Sequence, residues 1–307
     1  MRHGWKPYAH VLTVALAVTI TLSGCAFGVV RHRRSRQADP SDSVTIVTSF
    51  YPMYIMTINI VKGLDNVRVV NMTPPVTGCL HDYHLTPDDV KRLTEAQIFV
   101  INGAGMESFL DKVVNQLPGL KIVEATRGVT LLKDEHGIPN PHVWVSISGA
   151  IEETRSIAEQ LAVLLPEQAE RLRANAQAYV ARLEALKARM HSELAGVKTR
   201  DIVTFHEAFP YFAKEFGLNV VAVVEREPGT EPGAGELAAI IRTIKQADAK
   251  VLFTEPQYPQ GAAQVIARET GARIYRLDPA VTGPMEPDAY IKTMEANLAT
   301  LVEALSK

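Results

Sequence analysis

Nine histidines are spread along the 307 residues, and four of them stand where imidazole could do chemistry. His81 and His84 lie in the run Gly78-Cys79-Leu80-His81-Asp82-Tyr83-His84. His142 lies in Asn140-Pro141-His142-Val143-Trp144, and His206 directly follows the apolar run Ile202-Val203-Thr204-Phe205. Asp278 follows a similar run, Ile274-Tyr275-Arg276-Leu277. Three imidazoles and a carboxylate suit a borderline-soft ion such as zinc, which takes four N, S or O donors; manganese asks for more oxygen. Glu207, beside His206, is the residue that would tilt the choice toward manganese. The remaining histidines are placed less suggestively. His3, His10 and His32 precede the globular part, His136 sits in a polar loop, and His191 falls in a long helix as a surface residue.

Catalysis is a poor match to the same residues. His206-Glu207 begins like HExxH, but Pro210 stands where the second histidine belongs. A catalytic zinc also keeps an open position, whereas a shell of four protein donors is closed. No nucleophile elbow and no phosphate-binding loop occur. The formal net charge of -2 offers no global attraction for nucleic acid.

Elements that would carry these residues alternate in type. Strands are expected at 44–47, 67–70, 98–101 and 122–123, with helices at 53–64, from Thr86, and at 107–117. Thr86-Pro87-Asp88-Asp89 is a good helix start: a capping hydroxyl, proline in the first turn, and acids against the positive helix end. A second set repeats the rhythm, with strands at 202–205, 220–224, 251–253 and 274–277 and helices at 209–216, 236–247, 260–270 and 290–305. Such alternation predicts an α/β fold of two similar lobes, each a mostly parallel sheet with flanking helices. In open α/β sheets ligands bind beyond the carboxyl ends of strands, where the candidate residues fall. Between the sets, residues 166–194 contain no internal Gly or Pro after Pro166. Leu172, Ala176, Tyr179, Leu183, Leu186 and Met190 step by fours and threes. That is one face of a helix of roughly 40 Å, a rigid spine joining the lobes. The organisation expected is an N-terminal lobe over 43–165, the helix over 166–196, and a C-terminal lobe over 197–307.

The first residues belong to none of this. Arg2 and Lys6 precede an uncharged apolar run, 11–22, too short to span a bilayer comfortably and suited to a secretory signal. It ends in Leu22-Ser23-Gly24-Cys25, which resembles a bacterial lipobox, implying cleavage after residue 24 and a lipid on Cys25. Residues 25–42, with Arg31, Arg33, Arg34 and Arg36, read as a tether near the membrane. With Cys25 lipidated, Cys79 has no partner for a disulfide, and it reads as a small buried hydrophobe.

The lipobox, Gly78 to Tyr83, Asn140 to Trp144, and Phe205-His206-Glu207-Ala208-Phe209 together resemble the zinc/manganese class of ABC-transporter substrate-binding lipoproteins, the cluster A-I metal receptors. The resemblance covers nearly the whole mature chain in order. It implies an extracytoplasmic, lipid-anchored monomer that binds one Zn2+, or Mn2+, and delivers it to an ABC permease in the membrane. It also implies a ligand set of His81, His142, His206 and Asp278. His84, Glu207 and Glu255 then fall around those ligands, Glu255 as a carboxylate able to orient a ligand histidine. Glu225, Glu227 and Glu231 read as an acidic turn at the cleft rim. Two departures stand out: the stretch 132–138 holds one histidine where many zinc members carry a long His-rich loop, and Cys79 and His84 flank the first ligand. Adhesion, a role ascribed to some exported lipoproteins, is the rival outside transport, and no repeat or long exposed apolar stretch speaks for it.

Overall fold

In the computed structural model the described residues are 43–81, 83–134, 136–225 and 232–307. The signal segment, Cys25 and the tether lie outside them, as do Asp82, Glu227 and Glu231.

Two four-stranded parallel sheets form the frame. The first comprises β1 (Val44–Thr48), β2 (Val67–Asn71), β3 (Ile98–Ile101) and β4 (Lys121–Glu124), in the order β2-β1-β3-β4. The second comprises β5 (Asp201–His206), β6 (Asn219–Glu225), β7 (Val251–Thr254) and β8 (Arg273–Arg276), in the order β6-β5-β7-β8. The two orders are equivalent, so each sheet reverses its winding beside its first strand, which opens a crevice at the carboxyl ends there.

Helices α1 (Tyr51–Ile60), α2 (Pro87–Glu95), α3 (Asp111–Val114) and α4 (Ile147–Leu164) accompany the first sheet. Helices α6 (Pro210–Phe216), α7 (Ala234–Gln246), α8 (Gly261–Thr270) and α9 (Ala289–Leu305) accompany the second. Between them α5 (Ala169–Leu194) runs 26 residues, about 39 Å, entered through a 3-10 turn at Pro166–Gln168. Its buried stripe is the predicted one, Leu172, Ala176, Tyr179, Leu183, Leu186 and Met190, with Val180 and Leu194 added. The largest apolar cluster does not stop at a lobe boundary. It runs from Ile46 and Met53 through Trp144, Ile157 and Leu183 to Phe212, Phe253 and Leu301. No helix among the described residues is long and apolar enough to cross a membrane.

The α2 start forms as read: Thr86 and Asp89 cap each other reciprocally, and Pro87 opens the helix. The expected helix over 107–117 breaks up instead. Glu107 turns inward, where its carboxylate accepts from Ser49 Oγ at 2.8 Å, Asn102 N at 2.8 Å and Gly103 N at 3.0 Å. Only a 3-10 turn at Ser108–Leu110 and the four residues of α3 remain helical. Those backbone donors belong to a bend past β3 in which Gly103 has φ +85° and a side chain would strike Glu124 and Thr126. Burial raises the Glu107 carboxyl to about 7 despite its three bonds.

Deeper still, Glu153 on α4 is fully buried, and neither carboxylate oxygen finds a hydrogen bond among the described residues. Burial first, then Glu107 and Glu152, hold its pKa well above the ordinary 4.5. The folded state therefore keeps a proton that the unfolded chain sheds above 4.5. This group favours folding most at pH below 4.5 and progressively less as pH rises toward its folded value. Glu153→Gln is expected to raise the urea midpoint near about pH 7 while leaving it unchanged below 4.5, which parallel unfolding curves would read.

Candidate metal centre

His206 is the last residue of β5, on the central strand of its sheet, and is 1 % exposed. Neither of its ring nitrogens has a hydrogen bond among the described residues. Nδ1 faces Glu255 Oε2 at 3.7 Å, beyond hydrogen-bond length but within electrostatic reach. Glu255 follows β7, is itself buried, and accepts from Gln257 Nε2 at 2.7 Å. Burial pushes its carboxyl up, and His206 works in the opposite direction.

Across the crevice, His142 ends the segment that follows β4. Asn140 makes a turn in which its Oδ1 accepts both the His142 backbone N–H at 3.0 Å and ring Nδ1 at 3.1 Å. A proton on Nδ1 leaves Nε2 with its lone pair directed into the crevice. Asn140 is itself fixed from the other lobe, with Nδ2 donating to Glu207 O at 3.0 Å. Burial, then His206 and His81, hold His142 well below the ordinary imidazole value of 6.5, so the ring stays neutral.

His81 comes from the loop between β2 and α2 and is exposed on the cleft side. Its Nε2 lies 3.1 Å from His142 Nε2. Two nitrogens on one tetrahedral zinc at about 2.0–2.1 Å would stand about 3.3 Å apart. The three rings meet with centroids 4.8 Å (His142–His206), 5.1 Å (His81–His142) and 5.8 Å (His81–His206) apart. His81 and His142 line a cleft of ≈ 370 Å³ together with Ala104, Asp134, Ile138 and Glu207, and His206 lies buried against them. Ala104 holds φ +53°, a strained angle for a residue with a Cβ, in the bend that shapes this wall.

The other predicted residues fall around this group unevenly. Asp278 follows β8, half-buried, with Oδ1 taken by Ala280 N at 2.8 Å and its own N–H given to Asn297. Burial raises its carboxyl, and Glu255 adds to the rise. Among the described residues, the side chains whose donor atoms all lie within 4.8 Å of one another are Cys79, His142 and His206; Asp278 and His81 both lie outside that group, His81 touching it through His142. Cys79 is buried, as expected of a small hydrophobe, but it is buried against two imidazoles. His84 is exposed, and Glu207 lines the cleft. Glu225 differs from the expected rim carboxylate: it ends β6 in register with His206 and is buried. His191 stays half-exposed on α5 against the Phe216 ring. Pro210 opens α6, so no second histidine can complete the pattern begun by His206-Glu207.

Sequence reasoning missed the framework behind His142. Trp144 lies fully buried one turn on, its ring 5.3 Å from that of His142 and edge-on to Phe50. Its indole N–H donates to Pro279 O at 2.9 Å, and its carbonyl accepts from Tyr290 at 2.7 Å. Tyr211, on α6, accepts from Leu132 N and donates to Asn140 O, both at 2.8 Å. Asn140→Leu removes the acceptor that orients His142 while leaving every imidazole in place. Its metal affinity is expected to fall about 10–100-fold, as for other groups that orient a ligand histidine. A competition titration against a chelating dye measures it.

Comparison with known proteins follows the same outline. The sequence profile of the family described as ZnuA, zinc-uptake complex component A periplasmic, matches residues 46–304. The high-affinity zinc uptake system protein ZnuA of Bacillus subtilis (strain 168) is 30% identical over 285 residues, 86% of this chain and 88% of that protein. Zinc-binding lipoprotein AdcA of Streptococcus pneumoniae is 29% identical over 299 residues, 90% of this chain; the chain spans 58% of that relative's length. Among solved structures, FpvC from Pseudomonas aeruginosa in complex with Ni2+ superposes with a TM-score of 0.78 at 34% identity, covering 86% of this chain and 97% of FpvC. The same protein is known in complex with Mn2+ at an equal TM-score. By the profile match and the Bacillus relative, the chain belongs to the family of the periplasmic component A of the zinc-uptake complex.

Proposed function

We propose that this chain is the extracytoplasmic receptor of an ABC importer, binding one zinc ion between its lobes and handing it to a permease in the membrane. The observation that carries the reading is the meeting of three imidazoles from two lobes beside one cleft, two of them buried. A buried imidazole with neither nitrogen hydrogen-bonded costs roughly 1–3 kcal/mol, and a metal bond removes that cost. His81, His142 and His206 are the proposed ligands; the fourth was expected from Asp278. The names of the relatives, zinc uptake protein and zinc-binding lipoprotein, support zinc as the cargo. Nitrogen-rich donors support it independently, since manganese favours oxygen.

Delivery is proposed on the same grounds. Residues 1–24 are proposed as the signal, Cys25 as the lipidated residue and 25–42 as the tether, which would hold the receptor beside its permease. The proposed division is 43–165 and 197–307 as lobes with 166–196 between them. In capture, His81 stands at the mouth, and His142 and His206 wait below it with the ion losing water as it passes inward.

A second cargo has an observation in its favour: the likeness to FpvC, which is known with Ni2+ and Mn2+. A competition titration of the metal-free protein with zinc, manganese and nickel separates the readings. Zinc bound at one equivalent and far more tightly than manganese supports the proposal. Preference for manganese overturns zinc as cargo, and no binding of any ion overturns the receptor.

A further inference from the structure

Cys79 lies two residues before His81, which faces His142, in the segment that leads from β2 to α2. Its Sγ and the donor nitrogens of His142 and His206 all fall within 4.8 Å of one another, and all three residues are buried. The His206 imidazole, 1 % exposed with neither nitrogen hydrogen-bonded among the described residues, is in this group. In a tetrahedral zinc site with Zn–S near 2.3 Å and Zn–N near 2.0–2.1 Å, sulfur and nitrogen stand roughly 3.6 Å apart. His81 also lies outside this group but reaches it directly, its Nε2 3.1 Å from His142 Nε2, whereas Asp278 has Oδ1 engaged by Ala280 N. The Gly78 backbone is at φ +84°, an angle open to glycine, and this sets the direction in which the Cys79 segment leaves the preceding turn.

We propose that the Cys79 thiolate, in place of the Asp278 carboxylate, is the fourth ligand, giving a centre of three imidazole nitrogens and one sulfur. This rests on the receptor reading and narrows its chemistry. As the metal–sulfur bond forms, the S–H bond breaks and its proton leaves to water; no electron is transferred. A divalent ion deprotonates a coordinating thiol outright. Sulfur also changes selectivity, because soft thiolate donors favour zinc and disfavour manganese. The absence of a His-rich loop fits a receptor whose selectivity is built into the four donors rather than gathered by a surface scavenger.

The test uses the full-length chain with Cys25→Ser, so that Cys79 is the sole thiol, loaded with cobalt(II) alone. A thiolate-to-cobalt charge-transfer band in the near ultraviolet, lost in Cys79→Ser, is the expected result. The serine variant should bind zinc about 10–100-fold more weakly with little change for manganese, so that the ratio of the two affinities narrows. Protection of the thiol from alkylation by one equivalent of zinc gives a readout that needs no variant at position 79. Cobalt bound without that band, and a thiol alkylated equally fast with and without zinc, would overturn the sulfur ligand and leave the receptor standing. A chain that binds neither cobalt nor zinc would overturn both.

Discussion

His206→Ala is expected to lower zinc affinity by at least about 100-fold. Zinc held by four protein donors is bound with roughly 10–16 kcal/mol, which is about 3 kcal/mol per donor, and each 1.4 kcal/mol is tenfold. The loss should appear as binding and not as unfolding. The imidazole makes no hydrogen bond among the described residues, so its removal costs the apo-protein its packing against the neighbouring rings and its approach to Glu255. Thermal unfolding separates the two effects: the metal-free midpoints of wild type and variant should lie close together, while the rise produced by zinc shrinks in the variant. A variant that kept full zinc stabilisation would remove His206 from the site. The proton works in the same direction as the mutation. Burial keeps His142 neutral well below 6.5, so affinity is held across neutral pH and falls as acid makes protons compete for the ligand nitrogens. The apo fold weakens on the same side. Below 6.5 the unfolded chain takes up a proton that the folded His142 refuses, so stability is lost as pH falls.

Trp144→Ala should cost the fold about 3–5 kcal/mol, the range for deleting a fully buried large aromatic. Here the ring also closes a junction. Its N–H satisfies the Pro279 carbonyl of the C-terminal lobe, and its ring packs against His142 at a tilt of 52°. Trp144→Phe restores most of the buried area but leaves that carbonyl unpaired, a loss of about 1–3 kcal/mol. Urea unfolding reads both, as lowered midpoints at unchanged slope. The alanine variant should also bind zinc more weakly, because the space behind His142 lets its ring leave the direction set by Asn140. A shift under about 1 kcal/mol for alanine would mean that the surrounding core collapses into the gap.

Much of the fold could be read from local pattern. The strands are short apolar runs between turns, and the spine announces itself through a stripe of fours and threes ending at Leu194. Thr86 and Asp89 capped α2 as their types require. Position 107 misled because Glu107 serves the backbone amides of Asn102 and Gly103, a demand set by the bend after β3 and invisible in helical periodicity. Glu225 misled for a related reason. Its neighbours in sequence are acidic and turn-like, but strand pairing carries it beside His206 and inside. His81, His142 and His206 each follow a strand or a turn at the carboxyl edge, a pattern legible in sequence, and the fold brings their rings together. Their choice over His84 came from the family resemblance and not from spacing. The fourth donor was the least legible. Asp278 and Cys79 both sit in suitable segments, and spacing along the chain does not show that the Cys79 sulfur folds to within 4.8 Å of the His142 and His206 donor nitrogens.

The hydroxyl of Tyr211 joins Leu132 to Asn140, and through Asn140 it holds His142. The N-terminal half thus carries a proposed ligand whose seat is braced by the C-terminal half. It follows that the halves are not interchangeable modules. A fragment ending after α4 would retain His81 and His142 but not the bracket that aims the second. Chimeras exchanged at the spine would import a new seat for His142 along with a new His206, so the affinity of such a hybrid should match neither parent. Sequence change at Tyr211, remote from the ion, is a route by which affinity can drift while every ligand stays the same.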